Sequence, residues 1–402
     1  MSGRVGDLSD EQLAVLDEFR GTMDDILRPH HDDYFLSRWL RAKNYNLTEA
    51  VNMLRTSLQW RNQMKADTLI DEYDPPEVLL KYFPGGLIGH DKEGCPLWII
   101  PFGNMDIKGL FYSVKKSEFI KYIVKLMEVS EQEMRDQSER LGRVVETHSI
   151  IFDLENLTMK QVAWKPAIDM ITQLVKLFED NYPERLKKAY VVNVPKFFPV
   201  AYALVKPVLS DETAKKIHVY MKETWKPALL EDIDSDVLPA YWGGSRSDDD
   251  DDPKVSSIIC QGGAVPCSSY TAPSRRLSID QNMTSAVVEK KTELPIEFQV
   301  TEPGSVLQWE FQTEDYDIGF GVYCKSENGE QKELIPIQRV NCHLVPEDGM
   351  VVCDTAGTYI LKFDNSFSWC RRKRLMYRVE VMPPTKKEEM KEITQNSENI
   401  PV

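Results

Sequence analysis

The stretch PKFFPVAYALVKPVL, residues 195–209, is apolar on every side when wound into a helix. At 3.6 residues per turn Phe197, Phe198, Val200, Tyr202, Leu204, Val205, Val208 and Leu209 spread around nearly the whole circumference. A surface helix keeps one apolar stripe and one polar face. A bilayer span needs about 20 apolar residues, more than this segment offers. Two placements remain: the segment covers a packed core, or it closes over an apolar cavity as a lid.

The flanking sequence favours the lid. From residue 76 to 244 strand-like and helix-like stretches alternate. Pro96–Phe102, His148–Leu154, Ala189–Val194 and Lys216–Met221 read as strands. Lys116–Leu141, closed by Gly142 as a C-terminal cap, and Trp164–Asp180 read as helices between them. Such alternation predicts an α/β domain with a mostly parallel sheet and helical crossovers. A sheet packed by helices on both faces carries near-continuous apolar strands. Here His148, Ser149 and Asn193 interrupt them, so one face is expected to look into a cavity rather than a packed layer.

On the N-terminal side, residues 1–75 read as a helical module. Ser9 with Gln12 forms a capping box, DDYFLSRWLRAKNYN places Phe35, Leu36, Trp39 and Leu40 at helical spacing, and Asn46 with Glu49 caps a third helix. Pro75–Pro76 ends the pattern. On the C-terminal side, residues 245–278 carry five consecutive aspartates, Asp248–Asp252, and a Ser-rich run, which predicts a solvated linker. Within it Ser274 and Ser278 flank Arg275–Arg276, a weak basophilic kinase pattern. Residues 279–384 alternate apolar and polar positions in short stretches such as SVLQWEFQ, DIGFGVYCKS and TYILKFDN, predicting an antiparallel β-sandwich with Trp309, Phe311, Phe320 and Phe363 in its core. Arg371–Arg374 is read as either a solvated hairpin turn or a contact for a membrane or partner. Residues 385–402 are polar, and a disordered tail is expected.

The whole chain has 402 residues, a net charge of −15 and 42% hydrophobic residues. The charge argues against nucleic-acid binding, which needs a basic face. Any membrane contact must then be local, and Arg185, Lys187, Lys188 and Lys206 are expected to supply it. No apolar leader or transmembrane run is present, and the seven cysteines form no CxxC pair, so a cytoplasmic protein with reduced thiols is expected. No nucleophile–base, phosphate-loop or zinc motif occurs. His30–His31–Asp32–Asp33 reads as a solvated turn rather than a metal site, and Asp153 with Glu155 as turn caps rather than an acid–base pair. No catalytic residue, metal or cofactor is expected.

RWLRAKNYN, then DNYPERLKKAYVVNVPKFFPVAYALVKPVLSDETAKKIHV, then LPAYWGG resemble the CRAL-TRIO lipid-binding family with its helical N-terminal module. WEF, DIGFGVY and GTYILKFDNSFS resemble a GOLD domain. In order and length the chain is similar to the supernatant protein factor and tocopherol-associated protein group. The resemblance implies a cavity floored by the sheet, closed by a mobile gate helix and lined by Ile150, Phe152, the gate residues and the helix Lys116–Leu141. For a phosphoinositide head group it implies contacts from Glu184 of the YPER motif, Lys216, Thr213 and Lys43. The chain departs from the pattern at Ile150, which cannot donate to a phosphate as a hydroxyl residue would, and at Asn44, where a second basic residue would stand. His148 occupies the other hydroxyl position.

The expected function is that of a cytosolic carrier. It would bind a phosphatidylinositol-, tocopherol-, squalene- or retinoid-type lipid and exchange it during transient contact with membranes, acting as a monomer. The alternative is a lipid-regulated trafficking or signalling adaptor that recruits a protein partner through the GOLD-like domain. Neither needs nucleic acid.

Overall fold

The computed structural model describes residues 3–384, except 160, 162–163, 221–223, 271–282, 326–330 and 344–345. The expected kinase pattern and C-terminal tail lie outside the described residues.

Three helices open the chain: α1 (Asp10–Met23), α2 (Asp33–Ala42) and α3 (Leu47–Met64). Each begins on a side-chain cap, two of them expected from the sequence and the third, Asp32, in the stretch read as a solvated turn. Ser9 accepts from the Gln12 amide, Asp32 from that of Phe35 and Asn46 from that of Glu49. Their apolar faces meet through Leu16, Phe19, Met23, Leu36, Trp39, Leu40 and Leu54. Asp32 is therefore a helix cap, and His31 stacks on Phe35 with ring centres 4.1 Å apart.

A five-stranded sheet follows in the order β1 (Gly86–His90), β2 (Pro96–Ile100), β3 (His148–Asp153), β4 (Leu186–Val192) and β5 (Ile217–Val219). β1 runs antiparallel to β2, and the remaining pairs are parallel. The long helix Lys116–Leu141 connects β2 to β3, and Lys165–Asn181 connects β3 to β4. Gly142 ends the long helix at φ 63°, the left-handed conformation that glycine adopts freely. Among the described residues no helix is long and apolar enough to cross a membrane.

The C-terminal part is an antiparallel β-sandwich. One sheet holds β10 (Gln331–Val340), β9 (Ile318–Lys325), β12 (Gly357–Asp364) and β7 (Glu293–Val300). The other holds β11 (Glu347–Cys353), β8 (Ser305–Thr313), β13 (Lys373–Met382) and β6 (Thr284–Val288). Trp309, Phe311, Phe320 and Phe363 pack together between them. The sandwich touches the α/β domain through an ion pair of Lys108 with the buried Asp348 and through Met159 against Val306 and Met350.

Residues 245–270 are not the solvated linker that the aspartate run suggested. They form a strap across the α/β domain. Asp248 accepts from the Ser257 amide at 2.9 Å, and Asp252 from those of Lys254 and Ser256 at 3.0 and 2.9 Å. These bonds turn the chain so that Val255 and Ile259 enter the core beneath the sheet at 1% and 0% exposure. Cys260 then pairs with Gly85, and Val265 packs beside Leu110 and Trp164. The middle aspartates, Asp249–Asp251, stay exposed. Three solvated charges dominated the sequence pattern, while the apolar anchors are only a few residues apart.

Removing a buried isoleucine side chain costs about 2 to 5 kcal/mol through lost transfer energy and a residual cavity. Ile259→Ala is therefore expected to lower unfolding stability by that amount in a denaturant titration. A loss under about 0.5 kcal/mol, the range of ordinary surface changes, would show that the strap is not part of the folded core.

Candidate functional site

The two faces of the sheet differ in how they are covered. Along β3, Ser149, Ile151 and Asp153 point one way and His148, Ile150 and Phe152 the other, as strand pleating requires. The first face is sealed. Ile151 is fully buried with Leu97, Ile99, Tyr190 and Val192 against Trp225, Leu229, Trp242 and the strap. Asp153 belongs to this packing, accepting from Trp242 Nε1 at 3.0 Å, Asn193 Nδ2 at 2.8 Å and the Glu155 amide at 2.9 Å. Gly244 allows the closure, because a Cβ there would lie 1.9 Å from the Leu238 carbonyl oxygen.

On the second face the register aligns Trp98, Ile150, Ala189 and Ile217 in one row across four strands. Ile100, Phe152, Val191 and Val219 make the next row. Ile100, Ile150, Phe152, Ile217 and Val219 all remain partly accessible, although Ile150 and Phe152 lie on the central strand with helices over them. A side chain in that position is ordinarily closed off by tight packing. This face is an apolar floor with an incomplete cover.

The lid segment provides part of that cover. It is helical from Phe198 to Val205, then tightens into a 3-10 turn over Lys206–Val208. Phe197, Phe198 and Ala201 pack against Leu154, Leu157, Val191 and Val219 at the C-terminal ends of the strands. The Phe198 and Tyr202 rings lie 5.8 Å apart, and burial raises the Tyr202 phenol above its ordinary range. Tyr202, Leu204, Val205, Val208 and Leu209 are all partly exposed and none is buried. Of Val200 only the backbone is described. An apolar circumference that is half covered all round matches a lid better than a core helix.

Polar groups gather at the opposite ends of the strands. Glu184, held at φ 61° just before β4, accepts from Lys216 Nζ at 3.3 Å and lies 3.8 Å from Arg41 Nε. Thr213, in the short helix Asp211–Lys215, accepts from Ser210 Oγ at 2.9 Å. Lys43 caps the C-terminus of α2 and forms no ion pair among the described residues. Glu184 and Lys216 are thus brought together, and the α2 residue beside them is Arg41 rather than Lys43.

Behind this pair is a buried charge network. Arg61 makes a bidentate pair with Glu128, both bonds 2.9 Å, and the Tyr182 hydroxyl donates to Glu128 at 2.5 Å. Arg185 donates to Glu131 at 2.6 Å and to the Glu146 carbonyl at 2.9 Å. Burial raises the Glu131 carboxyl, but Arg185 and Arg38 outweigh it and hold the group at about 2. Arg38 is buried between Phe35 and Trp39, and burial with the nearby Arg185 lowers it to about 9. His148 sits beside the network, its Nδ1 3.2 Å from Ser130 Oγ, which accepts from Trp98 Nε1 at 3.3 Å. The signal for Arg38 and Arg41 was their i, i+3 spacing in an otherwise apolar helical stretch, which places both on one face.

The expected cluster of membrane-facing cations is corrected by these pairs. Arg185 binds Glu131, Lys187 binds Asp91 at 2.9 Å and Glu93 at 3.0 Å, and Lys188 binds Asp232 at 2.7 Å. All three cations are committed within the domain, at the end of the sheet away from the lid. Of the four, Lys206 alone lies in the lid segment.

Residues 80–244 match the family model of the CRAL/TRIO domain, and residues 324–382 match that of the Golgi-dynamics membrane-trafficking domain. Protein ctg-1 of Caenorhabditis elegans is 32% identical over 355 residues, covering 87% of this chain and 91% of that protein. Protein real-time of Aedes aegypti is 28% identical over 422 residues, covering 94% of this chain and 62% of that protein. The crystal structure of Sfh5 shares the fold, with a TM-score of 0.50 at 18% identity over 61% of this chain and 90% of that one. The chain belongs to the CRAL/TRIO family, in the lipid-binding arrangement that carries a C-terminal GOLD domain.

The buried His148 yields a pH prediction. Burial lowers its imidazole from 6.5 to about 4, so the fold favours the neutral ring. The associated stability is present above pH 6.5 and is lost as pH falls towards 4, on the order of 3 kcal/mol in total. In urea titrations across this window His148→Gln should lose less stability than the wild type by that order. Parallel curves for the two proteins would contradict the assignment.

Proposed function

We propose that the chain is a carrier that holds a hydrophobic lipid on the apolar floor and exchanges it at membranes when the lid helix swings aside. The observation that carries this reading is the pair of apolar rows left partly accessible beneath an equally apolar helix. A pocket lined by apolar side chains with a few convergent polar groups is the usual form of a small-molecule site. The polar groups stand at the far end of the strands from the lid, which suits an amphipathic molecule with its head by Lys216 and its tails towards Phe197 and Phe198. The Lys216 ammonium can donate to a phosphate, and Glu184 can accept from the hydroxyls of a phosphatidylinositol head. Thr213, Lys43 and Arg41 are the further candidates for that head. Tocopherol, squalene and retinoids would use the floor alone. The site is read as one for binding, with no reaction and no cofactor, in a monomer of the cytoplasm.

Exchange through water would be slow. A two-chain lipid with on the order of 30 methylenes costs more than about 20 kcal/mol to expose. The lid must therefore open against a bilayer, with Phe197 and Phe198 entering the interface, where aromatic rings anchor. Phe197→Asp with Phe198→Asp is expected to slow lipid transfer between vesicles more than about tenfold, since charges are costly at that depth. An unchanged rate removes these residues from the lid mechanism. A chain that keeps its lipid in the presence of acceptor vesicles would favour the adaptor reading.

Lys216→Ala tests the head group separately. Loss of a charged hydrogen bond is worth about 1.5 to 3 kcal/mol. Uptake of phosphatidylinositol should therefore weaken by about tenfold or more, with tocopherol uptake unchanged. Equal phosphatidylinositol uptake would exclude Lys216 from the site.

A further inference from the structure

Trp369 is 78% exposed, whereas the other seven tryptophans are buried or partly buried. It stands on the loop between β12 and β13, and this loop is firmly held. The side-chain amide of the fully buried Asn365 donates to the carbonyls of Val288, Glu289 and Arg371 at 3.1, 3.1 and 3.0 Å. The Asn365 amide donates to the Thr292 carbonyl at 2.9 Å, and Lys291 and Ser368 donate to the Asn365 carbonyl at 3.1 Å each. The loop is thereby fixed to the turn between β6 and β7, and it presents the indole outward from a rigid base.

One cation lies over this ring and another over a second exposed aromatic. Lys291 Nζ lies 4.3 Å from the Trp369 ring centre. The Arg371 guanidinium lies 4.1 Å from the centre of the Tyr316 ring, which is itself 44% exposed. The four basic residues Arg371–Arg374 are not equivalent. Lys373 is buried and bound to Asp317, and Arg374 faces Glu314 at 3.5 Å. Arg371, Arg372, Lys290 and Lys291 are exposed and have no carboxylate partner among the described residues. Glu289, Glu293, Glu314 and Asp315 are the exposed acids nearby in the chain, and of these Glu314 faces Arg374. In a protein of net charge −15, this is a cationic facet with an aromatic projection.

We propose that this facet, formed by Trp369, Tyr316, Arg371, Arg372, Lys290 and Lys291, is a docking surface for an anionic lipid bilayer. Indole and phenol rings settle at the head-group level of a membrane, apolar body inward and polar edge outward. Cations flanking them meet the negative surface potential of an anionic leaflet. A rigid loop loses little conformational freedom on binding. The carrier reading needs a lid that meets a membrane. This facet is a second contact on another domain, and it does not depend on what fills the site beneath the lid.

The test is co-sedimentation of the full chain with phosphatidylcholine vesicles, with and without phosphatidylserine. Each cation near an anionic surface contributes about fivefold to partitioning. Arg371→Gln with Arg372→Gln should therefore reduce binding to phosphatidylserine vesicles by about 25-fold, and added salt should mimic the effect. Trp369→Ser should weaken binding to the same vesicles, and Trp369→Phe should remove the tryptophan quenching caused by spin-labelled lipid. All of these positions are exposed, so melting temperatures should stay at the wild-type value. Phosphatidylserine binding that is unchanged in both Trp369→Ser and the double arginine variant overturns the proposal and assigns the facet to a protein partner.

Discussion

One face of the α/β sheet has more apolar side chains than the protein itself covers, and the rest of the molecule is arranged around that shortfall. Ile151 and its neighbours are sealed by the helix Trp225–Asp232 and the strap. Ile150 and Phe152, one residue away on either side, keep accessible surface in the middle of the sheet. Apolar area left open beneath a helix is costly in water, at roughly 25 cal/mol per Å². A hydrophobic guest lying there would offset that cost. The lid helix follows the same logic. One side of it meets the sheet, and in the carrier reading its other side meets the apolar interior of a membrane.

Polarity is divided along the strands. The lid packs at their C-terminal ends, and the charged groups lie at their N-terminal ends. Glu184 and Lys216 stand at one edge of that charged pole, Arg38, Glu128 and Glu131 are buried within it, and Arg41, Arg61 and Arg185 are partly covered between them. Removing one partner from a buried ion pair is far more damaging than the pair is stabilising. The network therefore fixes the geometry of this pole and ties the N-terminal helices to the sheet. The first helical module is thus bound to the α/β domain rather than an independent appendage.

Much of the architecture was legible because it rests on local chemistry. The caps at Ser9 and Asn46, the alternation of β3 and the circumference of residues 197–209 all follow from side-chain spacing, whereas Asp32, read as part of a solvated turn, is a third cap. Where the reading went wrong, long-range pairing decided the outcome. Arg185, Lys187 and Lys188 looked like free surface charge, but their partners lie 44 to 96 residues away in sequence. The strap was hidden because the aspartates were read for their charge and not as acceptors for backbone amides. Arg41, not Lys43, reaches Glu184, and no local pattern separates residues two apart at a helix end. The basic run at Arg371–Arg374 divides in the same way, with Lys373 turned inward to Asp317.

The central claim is that the face bearing Ile150 holds a lipid. Native mass spectrometry of the purified chain, beside an Ile150→Trp variant that fills the floor with an indole, tests it most directly. The wild type should carry a single lipid-sized mass that can be extracted with organic solvent, and the variant should fold with that mass absent or greatly reduced. A wild-type chain that flies bare after purification and takes up no lipid from vesicles, behaving just as the filled variant does, would contradict the account.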